Sequence, residues 1–435
     1  AYKDSGVEWL GEVPEHWEVE RVRRIFEIKK RIAGELGFDI LSITQQGIKV
    51  RDPDSNDGQV SMDYSKYQIV EPGDFAMNHM DLLTGFVDIS DRHGVTSPDY
   101  RVFSITRPGS SCPGYLLYIF QMGYRQKILY AFGQGSSQLG RWRLPTEQFQ
   151  DWAIPFPSLE EQASIAAFLD RETAKIDALI AEQQRLIELL QEKRQAVISH
   201  AVTKGLDPDA PMKDSGVEWL GEVPEHWVVK KLKHLLSQPL SYGANEPADL
   251  SNPELPRYIR ITDIQEDGTL NADTFRSLPA EKAEPYMLID KDILLARSGA
   301  TVGKAFLYKR EFGPCCFAGY LILARLEARS SLPEWFRLFT ESSAYWGQVK
   351  SDAIQATIQN VSAEKYGNIL IPVPPKDELV GIVRETKSLV EYFERTVSAA
   401  MRSISLLHER RSALISAAVT GQIDVRGLVP EANAA

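Results

Sequence analysis

The sequence predicts an α+β protein with an internal pseudo-twofold repeat: two globular mixed α/β units separated by two long antiparallel coiled-coil helices. Three observations carry this. Residues 3–17, KDSGVEWLGEVPEHW, recur unchanged at 213–227, and an identical run of that length marks a tandem duplication. Two long segments place apolar residues at alternating steps of four and three, the pattern of a coiled-coil seam. Short β-type runs recur at corresponding places in the two copies.

In the globular parts, FDILSIT (38–44) corresponds to YIRITDI (258–264), and GDFAMNHM (73–80) to KDILLARS (291–298). Thr84-Gly85 and Val302-Gly303 mark equivalent turns. The scaffold positions agree while the residues at the turns differ. A duplicated frame with divergent loops suits a protein whose halves each read something different.

Each copy closes with IPFPSLEEQ (154–162) or IPVPPKDEL (371–379), followed by a heptad segment. In the first segment one row is Leu169, Ile176, Gln183, Leu190 and Val197, and the other Thr173, Ile180, Ile187, Arg194 and Ala201. In the second they are Thr386, Phe393, Ala400, Leu407 and Leu414, with Val390, Val397, Ile404, Arg411 and Ala418. Ser158 and Glu161 form a capping-box pattern just after Pro155 and Pro157. Gly205 and Gly421 stop the helices. The second copy has Pro375-Lys376-Asp377 where the first has its capping serine, so its helix start is expected to differ. At about 1.5 Å per residue each helix is roughly 70 Å long. The second copy starts where the first helix delivers it, so the two apolar stripes cover each other most simply in antiparallel pairing.

A chain of 435 residues exceeds what one core usually supports. Its 43 % hydrophobic and 25 % charged residues are ordinary for a globular protein. There is no apolar run of membrane-spanning length, and the opening AYKDSGVEWL lacks a signal-peptide pattern, so a cytoplasmic protein without a membrane is expected. Cys112, Cys315 and Cys316 have neither zinc-site spacing nor the look of a disulfide framework and read as reduced thiols. The seven histidines contain no H-x-x-x-H pair, so no metal is expected. A net charge of −11 and a pI near 5.3 argue against a simple nucleic-acid binder. The argument weakens if recognition surfaces are local patches, or if partner subunits neutralise the phosphates.

Three strings look enzymatic. Phe132-Gly133-Gln134-Gly135 has two glycines of a nucleotide or S-adenosylmethionine turn without the strand-turn-helix frame. Ser97-Pro98-Asp99-Tyr100 resembles an amino-methyltransferase loop but has Asp99 where a second proline belongs. Gly299-Ala300-Thr301-Val302-Gly303-Lys304-Ala305 is one residue short of a phosphate loop and ends in Ala305 instead of Ser or Thr. No nuclease-like carboxylate pattern repeats in both copies. No catalytic residue is therefore assigned.

What remains suits the reading of base edges. Gln45, Gln46, Lys49, Asn78 and His79 end the first copy's strand runs, and Gln or Asn can pair bidentately with adenine. The second copy offers Arg260, Thr262, Asp263, Arg297 and Ser298 there, with Arg suited to guanine. Arg141 and Arg143 flank Trp142. Basic clusters (Arg21, Arg23, Arg24, Lys29, Lys30 and Arg31; Lys230, Lys231, Lys233 and His234) stand at matching points and can hold phosphates.

EWLGEVPEHW, the IPxP lead into a helix, the heptads and ALISAAVTGQIDVR (413–426) resemble the specificity subunits of type I restriction-modification systems, from about residue 3 to about residue 427. The resemblance implies a first target-recognition domain (1–157), a central spacer helix (158–205), a linker (206–212), a second recognition domain (213–374), a C-terminal spacer helix (375–421) and a tail (422–435). It implies a bipartite double-stranded DNA target with an unread spacer. Two methyltransferase subunits and restriction/translocase subunits are the implied partners. S-adenosylmethionine, ATP and magnesium are expected in those partners and none of them in this chain. Asp4, Asp214, Trp9 and Trp219, within the identical repeat, are read as packing and partner docking. The rival readings are a coiled-coil adaptor that binds only proteins and a self-contained DNA methyltransferase.

Overall fold

The alternating runs build the same antiparallel frame twice. A computed structural model describes residues 1–51, 64–135, 142–265, 267–327, 330–354 and 360–428. The chain divides into two compact units, Ala1–Gln183 with Arg402–Ala435, and Gln184–Met401.

In the first unit the main sheet runs Phe26–Lys29, Arg101–Ile105, Phe75–Met77, Val87–Ile89. Phe103 lies opposite Phe75 on one neighbour and Ile28 on the other. Phe26 meets both Phe75 and Phe103 edge-on at 5.1 Å, the arrangement that brings a ring's positive edge to a neighbour's negative face. Helix Pro113–Arg125 covers this sheet with Leu116, Ile119 and Phe120, all fully buried. Its proline opens the helix, where the missing N–H has no intrahelical acceptor to lose.

In the second unit the sheet runs Ser241–Tyr242, Leu321–Ala324, Ile293–Ala296, Ala305–Leu307. The equivalent central strand, ILLA, is buried at all four residues. A parallel pair, Arg257–Ile259 with Cys315–Phe317, sits beside it. Its counterpart in the first unit is a single parallel bridge, Ile40 to Val95.

A buried aspartate stands just ahead of each equivalent strand. Asp74 accepts the Glu71 N–H and pairs with Arg31. Asp292 accepts the Ile289 N–H and takes a two-pronged pair from Arg325 at 2.7 and 2.6 Å. In each unit one aspartate thus fixes a turn and neutralises an arginine, which makes its burial tolerable.

The two long helices span Leu159–Lys204 and Lys376–Val419. From Ala181 to Val197 the half-buried residues are 183, 187, 190, 194 and 197 and the rest are exposed, the seam read from the heptads. In the first unit Asp177 pairs with Arg411 at 3.0 Å. In the second Arg194 pairs with Glu394 at 3.4 Å and with Glu341 at 2.7 Å. Because Glu161 and Gly421 also meet at Trp17, and Glu378 and Gly205 at Trp227, the helix segments in each unit run antiparallel. Ser158 Oγ accepts the Glu161 N–H at 3.3 Å. The second helix starts at the equivalent residue without that serine, Leu379 N donating to Pro375 O at 2.9 Å. The second helix start thus differs in its cap, as expected, but not in its position, and a clasp from the repeated segment holds both starts.

That clasp explains why the 15-residue repeat is unchanged. Each copy folds as a hairpin, Tyr2–Asp4 with Glu12–Pro14 and Met212–Asp214 with Glu222–Pro224. Asp4 and Asp214 each accept a glycine N–H two residues on, at 2.9 Å. In the first unit His16 and Trp17 bond Glu161 at 2.8 and 3.4 Å. In the second His226 and Trp227 bond Glu378 at 2.7 and 3.0 Å. The glycine that ends the opposite helix packs on the same tryptophan, Gly421 on Trp17 and Gly205 on Trp227. Each hairpin therefore holds one helix start and one helix end, and any change must fit three elements at once.

Among the described residues no helix is long and apolar enough to cross a membrane, and no cluster of three or more His, Cys, Asp or Glu is suited to a metal.

Candidate nucleic-acid interface

The polar residues that end the strands differ in how firmly the fold holds them. In the first unit Leu41–Thr44 and Gly47–Val50 pair as a hairpin whose two-residue turn is Gln45-Gln46. Both glutamines are exposed, and Lys49 Nζ donates to Gln46 Oε1 at 2.6 Å. Gln45 Nε2 reaches Thr84 O at 3.4 Å, so the hairpin tip lies beside the next turn. Asn78 is half-buried, its Oδ1 accepting the Met80 N–H at 3.3 Å.

His79 has a different environment. Burial, with the charges of Arg101 and Arg143 beside it, holds its pKa down to about 3. Its Nδ1 is buried without a hydrogen-bond partner. Arg101 itself is buried, stacked 4.4 Å over Phe149 and donating to Leu144 O at 3.1 Å. His79 is thus a neutral half-buried ring and Arg143 an exposed cation next to it. Arg141 lies outside the described residues. Trp142 is anchored by its indole N–H, which donates to Tyr130 O at 2.8 Å.

In the second unit Arg260 donates to both oxygens of Asp263 at 3.1 and 2.7 Å and to Thr274 O at 2.8 Å. Asp263 is wholly buried. These two side chains hold the turn and each other, Arg260 keeping part of its side chain exposed while Asp263 has almost none, and Thr262 between them is exposed. Arg297 is held differently: its guanidinium lies 4.7 Å over the Tyr242 ring, and its Nε faces Asn360 Oδ1 at 3.5 Å. Ser298, half-buried, bridges the backbone to Asn360. Tyr320, 65 % exposed, accepts the Arg297 backbone N–H at 3.1 Å through its carbonyl. Tyr242, Tyr320 and Asn360 escaped sequence reading because isolated residues on separate segments leave no periodic or motif signal.

The basic clusters are not equivalent. Arg21 and Arg23 share Asp151 at 3.0 and 2.8 Å, Arg24 pairs with Glu20 at 3.1 Å and Lys29 with Glu27 at 2.6 Å. Arg31 is committed to Asp74. Lys230, Lys231, Lys233 and His234 are all exposed, and no ion pair is made by them among the described residues. That second cluster is the more available to phosphates. The phosphate-loop-like string is a packed turn, with Gly303 N donating to the Tyr366 hydroxyl at 3.0 Å and Gly303 O accepting from Tyr345 at 2.8 Å.

No family model matches the chain. It is 22 % identical over 432 residues to the putative type I restriction enzyme MjaX specificity subunit of Methanocaldococcus jannaschii, covering 96 % of each chain. It is 24 % identical over 310 residues to the type I restriction enzyme EcoBI specificity subunit of Escherichia coli, a match covering 68 % of this chain and 63 % of that protein. Among solved structures, a chain described for complex assembly and conformational transition of the type I R-M system superposes with a TM-score of 0.71 at 14 % identity, covering 94 % of this chain and 99 % of that one. The HsdS subunit from Thermoanaerobacter tengcongensis superposes with a TM-score of 0.53 at 15 % identity, covering 94 % and 98 %. With the duplicated frame, the clasped hairpins and the paired helices, the chain is similar over nearly its whole length to a specificity subunit of a type I restriction enzyme and shares the fold of an HsdS subunit.

Proposed function

We propose that the chain reads a bipartite DNA target, one half by each globular module, within a type I restriction-modification complex. The observation that carries this is the duplicated sheet whose equivalent strand ends bear different polar residues: Asn78 and His79 in one copy, Arg297 and Ser298 in the other. Identical frames with unlike tips suit two different half-targets, and phosphate contacts from Lys230, Lys231 and Lys233 would orient the duplex without reading it. The long helices set the unread spacer. The identical repeated segments present the same docking surface twice, one for each of two methyltransferase subunits, and Leu179, Leu186 and Leu189, exposed on the first helix, add apolar area there. The chain itself is cytoplasmic and non-catalytic. S-adenosylmethionine, ATP and magnesium work in the methyltransferase and restriction/translocase partners.

Exchange of residues 18–153 for the equivalent segment of a relative tests the reading. One half of the methylated target should change and the other should stay. A change in both halves, or in neither, overturns it.

A further inference from the structure

Arg297 is the second module's counterpart of His79, and its surroundings differ from those of a salt-bridged surface arginine. Among the described residues it makes no ion pair. Its guanidinium is stacked at 4.7 Å on a tyrosine that is itself 42 % exposed. Its backbone is pinned on both sides, Arg297 N to Tyr320 O at 3.1 Å and Val361 N to Arg297 O at 2.9 Å. Tyr242 is fixed in turn, because its hydroxyl accepts the Ala363 N–H at 3.1 Å and its strand pairs with Leu321–Ala324. Asn360 Oδ1 faces the Nε edge, so the ring and the amide engage one face and one edge of the guanidinium, and its two terminal nitrogens make no ion pair among the described residues. A planar fork held by a ring on one face and an amide on one edge loses little freedom on binding. Such a fork matches the O6 and N7 acceptors of guanine in the major groove.

We infer that Tyr242 and Asn360 are positioning residues that pre-set Arg297 to read a guanine in the second half-target. The inference rests on the DNA-recognition reading above. The clamp consists of three residues far apart in sequence. It contrasts with Arg260 in the same module, whose donors go to Asp263 and Thr274.

The test selects bound sequences from a random-sequence duplex pool with the full chain in complex with its methyltransferase subunits. Wild type should enrich a guanine at one position of the second half-target. Arg297→Lys keeps the charge but lacks the fork and should lose that preference. Tyr242→Leu should lower discrimination there by about 5- to 30-fold and leave every other position unchanged. Tyr242→Phe keeps the ring and the strand pairing but loses the hydroxyl contact to Ala363, and should therefore lower discrimination less than Tyr242→Leu does. Asn360→Ala should weaken the same position. If Tyr242→Leu proves unfolded by its melting curve, Arg297→Lys and Asn360→Ala decide. Variants that leave the preference intact, or weaken all positions alike, overturn the clamp while the recognition reading stands. If wild type enriches no sequence, the recognition reading itself fails.

Discussion

The indole N–H of Trp227 donates to Glu378 Oε1 at 3.0 Å, across 151 positions of sequence, and Trp17 stands in the same relation to Glu161 at 3.4 Å. Both tryptophans are buried, so each carboxylate satisfies a donor that water cannot reach. Glu378→Ala would leave that donor unpaired and should destabilise the second unit by about 1–3 kcal/mol. Glu378→Gln, which retains an acceptor, should be milder. Urea melts of the three proteins check the order. Equal stability of the alanine and glutamine variants would show that the indole bond contributes nothing.

Glu161 also gives a pH dependence. Burial pushes its carboxyl up, but bonds from His16 and Trp17 and the nearby His16 charge outweigh this and hold it below the usual range. A folded-state pKa below the unfolded one gives stability that is present above the unfolded value and lost as pH falls through the folded one. Glu161→Gln should therefore flatten the acid side of the stability curve below the ordinary glutamate pKa. An unchanged acid limb would contradict this.

The frame was legible because periodicity reports burial. The rows through Leu169 and Thr173 and through Thr386 and Val390 are buried or half-buried along the helices, and the identical repeat, read as packing and partner docking, forms the hairpins that clasp the helix ends. The site was less legible. Arg260 and Asp263 look like exposed readers in YIRITDI, yet three residues apart they close a turn on each other. Arg21 and Arg23 read as a phosphate cluster because Asp151, their partner, is 130 and 128 positions away. A short spacing reveals which side chains stand on one face, while a long-range partner stays hidden.

His79 should show a second acid effect. Its pKa of about 3 lies far below the usual 6.5, so below pH 6.5 the unfolded chain binds a proton that the folded chain refuses. Stability associated with His79 is complete above pH 6.5 and falls toward pH 3, by at most about 1.4 kcal/mol per pH unit. His79→Gln removes the titration and should give a shallower loss across that window. A variant curve parallel to wild type would show that the ring titrates normally.

Cys315 and Cys316 should be inert to thiol reagents in the folded chain. Burial pushes their thiols up to about 11 and about 12, and the thiolate is the reacting form. At about pH 8, disulfide-exchange reagents should titrate no more than Cys112 until denaturant is added, after which all three cysteines react. Rapid modification of two or more thiols without denaturant would show that the parallel strand pair opens.

The helix ends offer the sharpest comparison. Gly205 and Gly421 both adopt the left-handed conformation, with φ of +78° and +75°, so alanine at either should cost about 1–2 kcal/mol from the backbone alone. Their surroundings differ. A Cβ on Gly205 would lie 3.2 Å from the Trp227 ring, a contact a slight shift relieves. A Cβ on Gly421 would lie 2.5 and 2.7 Å from the Pro14 ring and 3.0 Å from Trp17. Pro14 is held in the hairpin opposite Tyr2, and the Tyr2 hydroxyl donates to Gly421 O at 3.0 Å, so neither side can yield alone. Gly421→Ala should therefore destabilise its unit by roughly 1–3 kcal/mol more than Gly205→Ala does, the range for an overpacked site. Thermal melts of the two single variants measure that difference. If Gly205→Ala proves equally or more damaging, the contact with Pro14 is not what fixes this helix end, and backbone conformation alone sets the cost.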